Sequence, residues 1–372
     1  MAKPALASQP DGLRFVHQTW PRRVVFGSGA STETARELAA LGAGRVLVIH
    51  TPGRAPVAER IARDLGRAWA GSISGARQHV GVAEAAAAAE RAKALGADWL
   101  LAVGGGAATG LAKAAALDVC LPVAAVPTTY SGSEMTAIWG LTRDGEKVNG
   151  RDERVRPRLV VYDPDLLAGF PPAAAAASAL NAFAHCAEAL YAADASPLVR
   201  LVAERGAAAL ARGLESLAVG EPAEAALLEG AWLGGDALGS AAMGLHHKLC
   251  HVLGGMCGLP HAEMHAVLLP YVLAFNAPAA SAALARLADA VGAGDAAGCT
   301  VWLRAISERL GLPRSLAAIG MPEAAVAPAA AAAARAAYAN PRAASAAEIE
   351  TLLTAALKGD APADVSAVRG GH

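Results

Sequence analysis

Three things are scarce in this sequence. Cysteine is rare and irregularly spaced: Cys120, Cys186, Cys250, Cys257 and Cys299 are the five in 372 residues, and no two form a Cys-x-x-Cys pair. That excludes a disulfide scaffold and argues against a structural zinc knuckle; reduced thiols in a cytoplasmic protein fit best. An excess of one charge is missing as well. The 32 Lys and Arg against 33 Asp and Glu leave a formal net charge of −1, and the basic residues are scattered, so neither nucleic acid nor an anionic membrane is an expected partner. Long apolar runs are absent too. Apolar residues make up 54% of the chain, yet no uninterrupted stretch reaches the ~18 residues of a membrane span, because charges break the alanine runs. Met1 to Gly12 carry no apolar signal core. Residues 1–12 and 361–372 are expected to fray.

What is present divides the chain in two. The first 165 or so residues alternate short β-branched runs with helix-like segments. Arg45-Val-Leu-Val-Ile-His50, Asp98-Trp-Leu-Leu-Ala-Val103 and Leu121-Pro-Val-Ala-Ala-Val126 read as buried strands, and Val82 to Leu95 reads as a helix. Apolar strands alternating with helices imply a parallel α/β sheet. From Pro172 onward alanine-rich helical segments take over and strand signals nearly vanish, with Asp163-Pro164 and Pro171-Pro172 marking the change. The expected organisation is an α/β domain over 13–166 and an all-α domain over 167–360.

Two loops in the α/β part point to a nucleotide. Leu100-Leu-Ala-Val-Gly104-Gly105-Gly106-Ala-Ala-Thr-Gly110-Leu-Ala-Lys113 is a strand, a glycine turn and a helix start. Glycines let backbone approach a phosphate, and the free N–H groups of a helix start attract its charge. The pattern is neither the dinucleotide Gly-x-Gly-x-x-Gly fingerprint nor a P-loop, and taken alone it also fits a plain tight turn. Pro127-Thr128-Thr129-Tyr-Ser131-Gly-Ser133-Glu134 follows the next strand and offers hydroxyls where α/β sheets bind ligands, though Ser131 or Ser133 could equally cap a helix. Two such loops side by side favour a nucleotide.

In the helical part, five of the ten histidines fall within residues 246–265. His247 and His251 are four apart, as are Asn181 and His185, and His261 and His265, so each pair shares a helix face. His261 follows Gly-Leu-Pro and is placed to start a helix. His-Ala-Glu-Met-His is not the His-Glu-x-x-His of a metalloprotease, since Glu263 stands one place late. His246 points about 100° away from His247 on a helix and reads as a supporting or packing residue. A single histidine would be structural; several at ligand spacing suggest a shared site for a metal or a proton.

These motifs, together with Arg23-Val-Val-Phe-Gly-Ser-Gly29 and Gly150-Arg151-Asp152, resemble the iron-dependent (group III) alcohol dehydrogenases from about Phe15 to about Gly359. The likeness is strongest to the branch that reduces maleylacetate. It implies the dehydroquinate synthase-like, iron-type alcohol dehydrogenase fold: an α/β N-terminal nucleotide-binding domain and an all-α C-terminal domain with the site in the cleft between them, assembled as a homodimer. Gly104, Gly105 and Gly106 would hold the pyrophosphate, Thr128, Thr129, Ser131 and Ser133 the nicotinamide half, and Lys113 is a further cofactor-binding candidate. Thr51 stands where many relatives carry a ribose-binding aspartate, so both NADH and NADPH are expected. Ala107 stands where the branch usually has serine, at a cost of ~1 kcal/mol for one phosphate hydrogen bond.

Metal-using relatives present one Asp and three His. The matching residues here are Asn181, His185, His247 and His261. An amide carries no charge toward a hard divalent cation, so iron or zinc binding at this vestigial set is doubtful. The implied reaction is NAD(P)H-dependent reduction of the carbon–carbon double bond of maleylacetate, or a substituted form, to 3-oxoadipate in the breakdown of aromatic compounds. An enolate would develop and need donors. His247 and His251 are the candidates, His251 preferred as proton donor, with His185 and His261 completing the pocket. Arg151 and Lys248 are candidate cations for the dicarboxylate substrate. The alternatives are a metal-dependent alcohol or polyol dehydrogenase, a reductase of another unsaturated oxo acid, and a non-catalytic NAD(P)-binding relative.

Overall fold

The computed structural model describes residues 15–77, 80–143, 146–336 and 338–362. The terminal segments expected to fray lie outside these residues, apart from the irregular Ala361 and Pro362. The chain divides into two compact units, Thr19–Phe170 and Pro171 onward, the latter with the residues up to Gln18.

The first unit is built on strands β1 (Arg23–Phe26), β2 (Val46–His50), β3 (Trp69–Ser74), β4 (Trp99–Gly104), β5 (Val123–Pro127), β6 (Ile138–Arg143), β7 (Glu146–Arg151) and β8 (Leu159–Tyr162). Its helices are α1 (Thr34–Ala40), α2 (Ala55–Leu65), α3 (Val82–Ala94) and α4 (Gly106–Val119). Six strands form a sheet in the order β1-β8-β5-β4-β2-β3, all of them parallel. Alternate residues, such as Val46, Val48, Leu101, Val103, Val126 and Val161, pack under Leu38 of α1 and Ile61 of α2. Leu47, Ile49, Leu100 and Val160 take the opposite phase and are equally buried, on the face where α4, backed by α3, packs. Burial on both faces is why these strands read as continuous apolar runs rather than alternating ones. β6 and β7 form a separate antiparallel hairpin, with Ile138 opposite Arg151. The sequence reading missed it, because its residues alternate around Gly140, Thr142 and Asn149 and give no apolar run.

The strand order places the ligand crevice. From β2 the chain moves outward to β3, then returns to lay β4 on the other side of β2 and continues to β5. Connections leaving in opposite directions open a gap at the carboxyl ends of β2 and β4, the topological switch point where parallel sheets bind ligands. Thr51 and Gly104–Gly106 sit there.

The second unit is helical: α5 (Pro172–Tyr191), α6 (Pro197–Ala218), α7 (Glu224–Ser240), α8 (Leu245–Cys257), α9 (His261–Asn276), α10 (Ser281–Val291), α11 (Ala296–Arg309), α12 (Val326–Arg335) and α13 (Ala346–Lys358). α5 is buried from Ala175 to Leu190 because α6, α7 and α9 pack around it. α8 and α9 share an apolar core with α12 and α13, built from Leu249, Leu253, Met264, Leu268, Phe275, Ala329 and Leu353. His261 opens α9 after Pro260, as its position after Gly-Leu-Pro suggests. Among the described residues, no helix is long and apolar enough to cross a membrane.

Candidate active site

At the switch point, Gly104 has φ +148°, a conformation that favours glycine. A Cβ there would stand 3.2 Å from Thr51 Oγ1 and 3.1 Å from Ala108 Cβ. Gly105 precedes the first turn of α4, and a Cβ on it would lie 2.7 Å from Thr129 Cγ2. The two loops therefore touch backbone to side chain, which only glycine permits. The Thr128 N–H donates to Gly104 O at 3.0 Å, and Thr129 Oγ1 is buried without a hydrogen-bond partner. An orphaned hydroxyl beside the N–H groups of a fourteen-residue helix suits a phosphate-bearing cofactor.

Lys113 lies inside the unit. Its side chain is fully buried, and its ammonium donates to Ser133 O at 2.5 Å, Thr136 Oγ1 at 3.1 Å and Ile138 O at 3.0 Å. Burial pushes its pKa down to about 7. The residue ties α4 to the loop after β5 and holds that loop from beneath. Glu134, also fully buried, braces the same loop. It accepts from Tyr162 Oη at 2.9 Å and Ser131 Oγ at 3.3 Å, and burial raises its pKa. Arg151 is exposed at the end of β7.

In the helical unit, five imidazoles form one connected group. His185 stacks on His247 with centroids 5.0 Å apart, His247 meets His265 at 5.0 Å, His265 meets His246 at 4.8 Å and His261 at 4.5 Å. His185, His246, His247 and His265 are buried, while His261 is exposed at the rim. His251 lies one turn beyond His247 on the exposed side of α8, and Lys248 is half-buried. His265, given no role from sequence, is thus at the centre of the group, and His251, given the leading role, is at its surface.

The group is organised by a residue that the sequence reading did not single out. Glu188 is fully buried on α5 and accepts from the backbone N–H of His246 at 2.9 Å, of Gly244 at 3.0 Å and of His247 at 3.4 Å. It also accepts from Tyr191 Oη at 3.1 Å and from His247 Nδ1 at 2.6 Å. The carboxylate therefore caps α8 from a neighbouring helix, satisfying N–H groups that no residue of α8 could satisfy. A Cβ on Gly244 would stand 3.0 Å from Glu188 Oε1, so glycine is what lets the carboxylate in. Burial alone would raise the Glu188 pKa; the His247 hydrogen bond and the other donors outweigh it and hold the group at about 2. Asn181, His185 and Glu188 follow the i, i+4, i+7 spacing of one helix face, a signal that could have found it.

With His247 Nδ1–H committed to Glu188, its Nε2 is left buried and unpartnered, like Asn181 Oδ1 and His185 Nδ1. Three orphaned polar atoms in a buried place call for a bound group. Burial, and then the neighbouring imidazoles, lower the His185 and His265 pKa values well below the usual histidine range, so both are neutral at pH 7. The set Asn181, His185, His247 and His261 contains no carboxylate, so it brings no anionic oxygen to a hard divalent cation.

Known proteins bear out the family. Residues 21–164 match the iron-containing alcohol dehydrogenase family model, and residues 175–357 match the C-terminal Fe-containing alcohol dehydrogenase model. The chain is 50% identical to maleylacetate reductase 2 of Cupriavidus pinatubonensis, covering 94% of this chain and 98% of that one. It is 47% identical to maleylacetate reductase of Burkholderia cepacia, covering 91% and 97%. The crystal structure of maleylacetate reductase from Agrobacterium tumefaciens superposes with a TM-score of 0.88 at 43% identity, covering 94% and 99%. The chain belongs to the iron-containing alcohol dehydrogenase family. It is an oxidoreductase, with that family's parallel-sheet N-terminal unit and helical C-terminal unit.

Two substitutions test this geometry. Gly105→Ala should weaken NADH binding at least tenfold in a fluorescence titration, with a loss of about 1–3 kcal/mol of stability from overpacking against Thr129. Unchanged affinity would remove the glycine turn from the cofactor site. Glu188→Gln should cost about 3 kcal/mol at pH 7 in urea unfolding, the equivalent of a pKa lowered from 4.5 to about 2. Because folding lowers this pKa, the contribution is complete above pH 4.5 and is lost as pH falls toward 2. The gap between wild type and variant should close over that range.

Proposed function

We propose that the protein reduces the carbon–carbon double bond of maleylacetate, or of a substituted maleylacetate, to give 3-oxoadipate. The observation that carries this reading is the carboxylate-free set Asn181, His185, His247 and His261, in which His247 Nε2 is orphaned, in a chain 50% identical to a maleylacetate reductase. A reduced nicotinamide would supply the hydride, which adds to the alkene carbon β to the ketone. Gly104, Gly105 and Gly106 with the α4 N-terminus would hold its pyrophosphate, and Thr128, Thr129, Ser131 and Ser133 its nicotinamide half. Thr51 brings no carboxylate to the switch point, and Arg54 is turned to Leu166 O at 3.1 Å. NADPH is therefore neither repelled nor specially attracted, and both cofactors should serve.

Charge leaving the alkene collects on the ketone oxygen as an enolate. Glu188 takes the Nδ1–H of His247, so Nε2 can donate to that oxygen when the ring carries a second proton. His185 stacks against His247, with ring centroids 5.0 Å apart. A proton must then reach the enolate carbon. His261 at the rim, next to His265, and the exposed His251 are the groups placed to deliver it. Lys248, beside His247 on α8, is the proposed anchor for one substrate carboxylate, and Arg151 the candidate for the other.

Purified protein should consume NADH and NADPH with maleylacetate, at rates that do not depend on added iron(II). No turnover with maleylacetate, together with iron-dependent oxidation of simple alcohols, would overturn the reading in favour of a metal-dependent alcohol dehydrogenase. Asn181→Asp should raise iron(II) affinity at least tenfold by restoring an anionic oxygen donor; calorimetry that found the wild type already binding iron(II) as tightly would contradict the role given to Asn181.

A further inference from the structure

One cluster is left unexplained by the reaction. His246 and Cys250 stand one turn apart on α8, and His265 reaches them from α9. All three are buried, and one ligand atom from each lies within 4.8 Å of the other two. His246 Nε2 is 2.9 Å from His265 Nδ1 and 3.8 Å from Cys250 Sγ. The remaining ring nitrogens, His246 Nδ1 and His265 Nε2, have no hydrogen-bond partner. Three ligating side chains have thus been brought together inside an apolar core of Leu249, Leu253, Met264 and Leu268, where two of them are left half-satisfied. Plain packing would be better served by leucine.

We propose that His246, Cys250 and His265 form a second, buried site for a borderline-soft divalent cation of the zinc(II) class, separate from the Asn181, His185, His247 and His261 set, that pins α8 to α9. The donors match this ion: one thiolate and two imidazoles fill three corners of a tetrahedron, with water or an enzyme group in the fourth. The spacings are close to those needed. Zn–N of about 2.0–2.1 Å and Zn–S of about 2.3 Å require only a small separation of the two rings and a small approach by the sulfur. Binding is balanced in protons. The Cys250 thiol loses its proton to solvent. The hydrogen shared between His246 Nε2 and His265 Nδ1 is displaced, so that the outer ring nitrogens carry the N–H groups. Charge is balanced as well, because zinc(II), the Cys250 thiolate and the Glu188 carboxylate on the His246 N–H sum to zero. The exposed His261, with its ring 4.5 Å from that of His265, supplies a ligand at the rim through which the ion can enter. The consequence is structural: α8 and α9 carry His247 and His261, and the pin fixes their separation.

Sulfur makes the test independent of activity and of the other histidine set, which has none. Metal-free protein titrated with cobalt(II) should develop a thiolate-to-cobalt charge-transfer band that saturates at one equivalent. Cys250→Ala should lose the band entirely, whereas Cys186→Ala, whose sulfur lies toward Gly206 and Gly234, should keep it. If the Cys250 variant does not fold, zinc-edge X-ray absorption on zinc-loaded wild type decides alone: one sulfur scatterer at about 2.3 Å supports the site. Nitrogen and oxygen scatterers only, a band that survives Cys250→Ala, or no cobalt or zinc binding would each overturn the proposal. Any of these would leave the three residues a hydrogen-bonded contact, and the maleylacetate assay would be unaffected by that outcome.

Discussion

The helical unit depends on one buried carboxylate. Glu188 stands where an uncompensated charge would cost several kcal/mol, and it is tolerated because the start of α8 and the His247 ring surround it with donors. The dependence runs both ways. Without the carboxylate, the first turn of α8 would bury N–H groups with no acceptor, since Gly244 offers no side chain to cap them. Without the donors, Glu188 would be driven to its neutral form. Capping the helix and aiming His247 are therefore a single physical event, and the orientation of the imidazole is as stable as the helix itself.

The first unit solves its problem by different means. There the positioning is done by backbone: a strand order that leaves a gap between β2 and β4, and glycines that let the loops after β4 and β5 touch. Lys113 and Glu134 support those loops from inside. Both are ionisable groups used as struts, and both have pKa values displaced by burial. A displaced pKa marks strain in the surroundings as readily as it marks catalysis, and at these two residues the hydrogen-bond partners identify a strut.

Much of this was legible from the chain. Val46–His50, Trp99–Gly104 and Val123–Pro127 announce themselves as strands because burial on both faces leaves them uninterrupted by polar residues. His261 announces a helix start because proline and glycine precede it. The spacing of Asn181 to His185 puts the two on one helix face; that an anionic ligand is missing there is what the resemblance to metal-using relatives implies. The hairpin β6–β7 stayed hidden because glycine and polar residues break its pattern. The strut role of Lys113 stayed hidden because a lysine after a glycine turn looks the same whether it points at a phosphate or into the protein.

The sequence by itself determined the two-part architecture, the glycine turn and the set of histidines, since each is a matter of periodicity and spacing within one or two elements. Only the tertiary structure decided which histidines meet and which carboxylate holds them. His265 lies in the middle of the group and His251 at its surface because α8 and α9 pack along the face that carries His246 and Cys250. Glu188, more than fifty residues before α8, becomes its cap only when α5 is laid beside it. Local spacing specifies a helix face; what that face meets is set by the packing of helices distant in sequence.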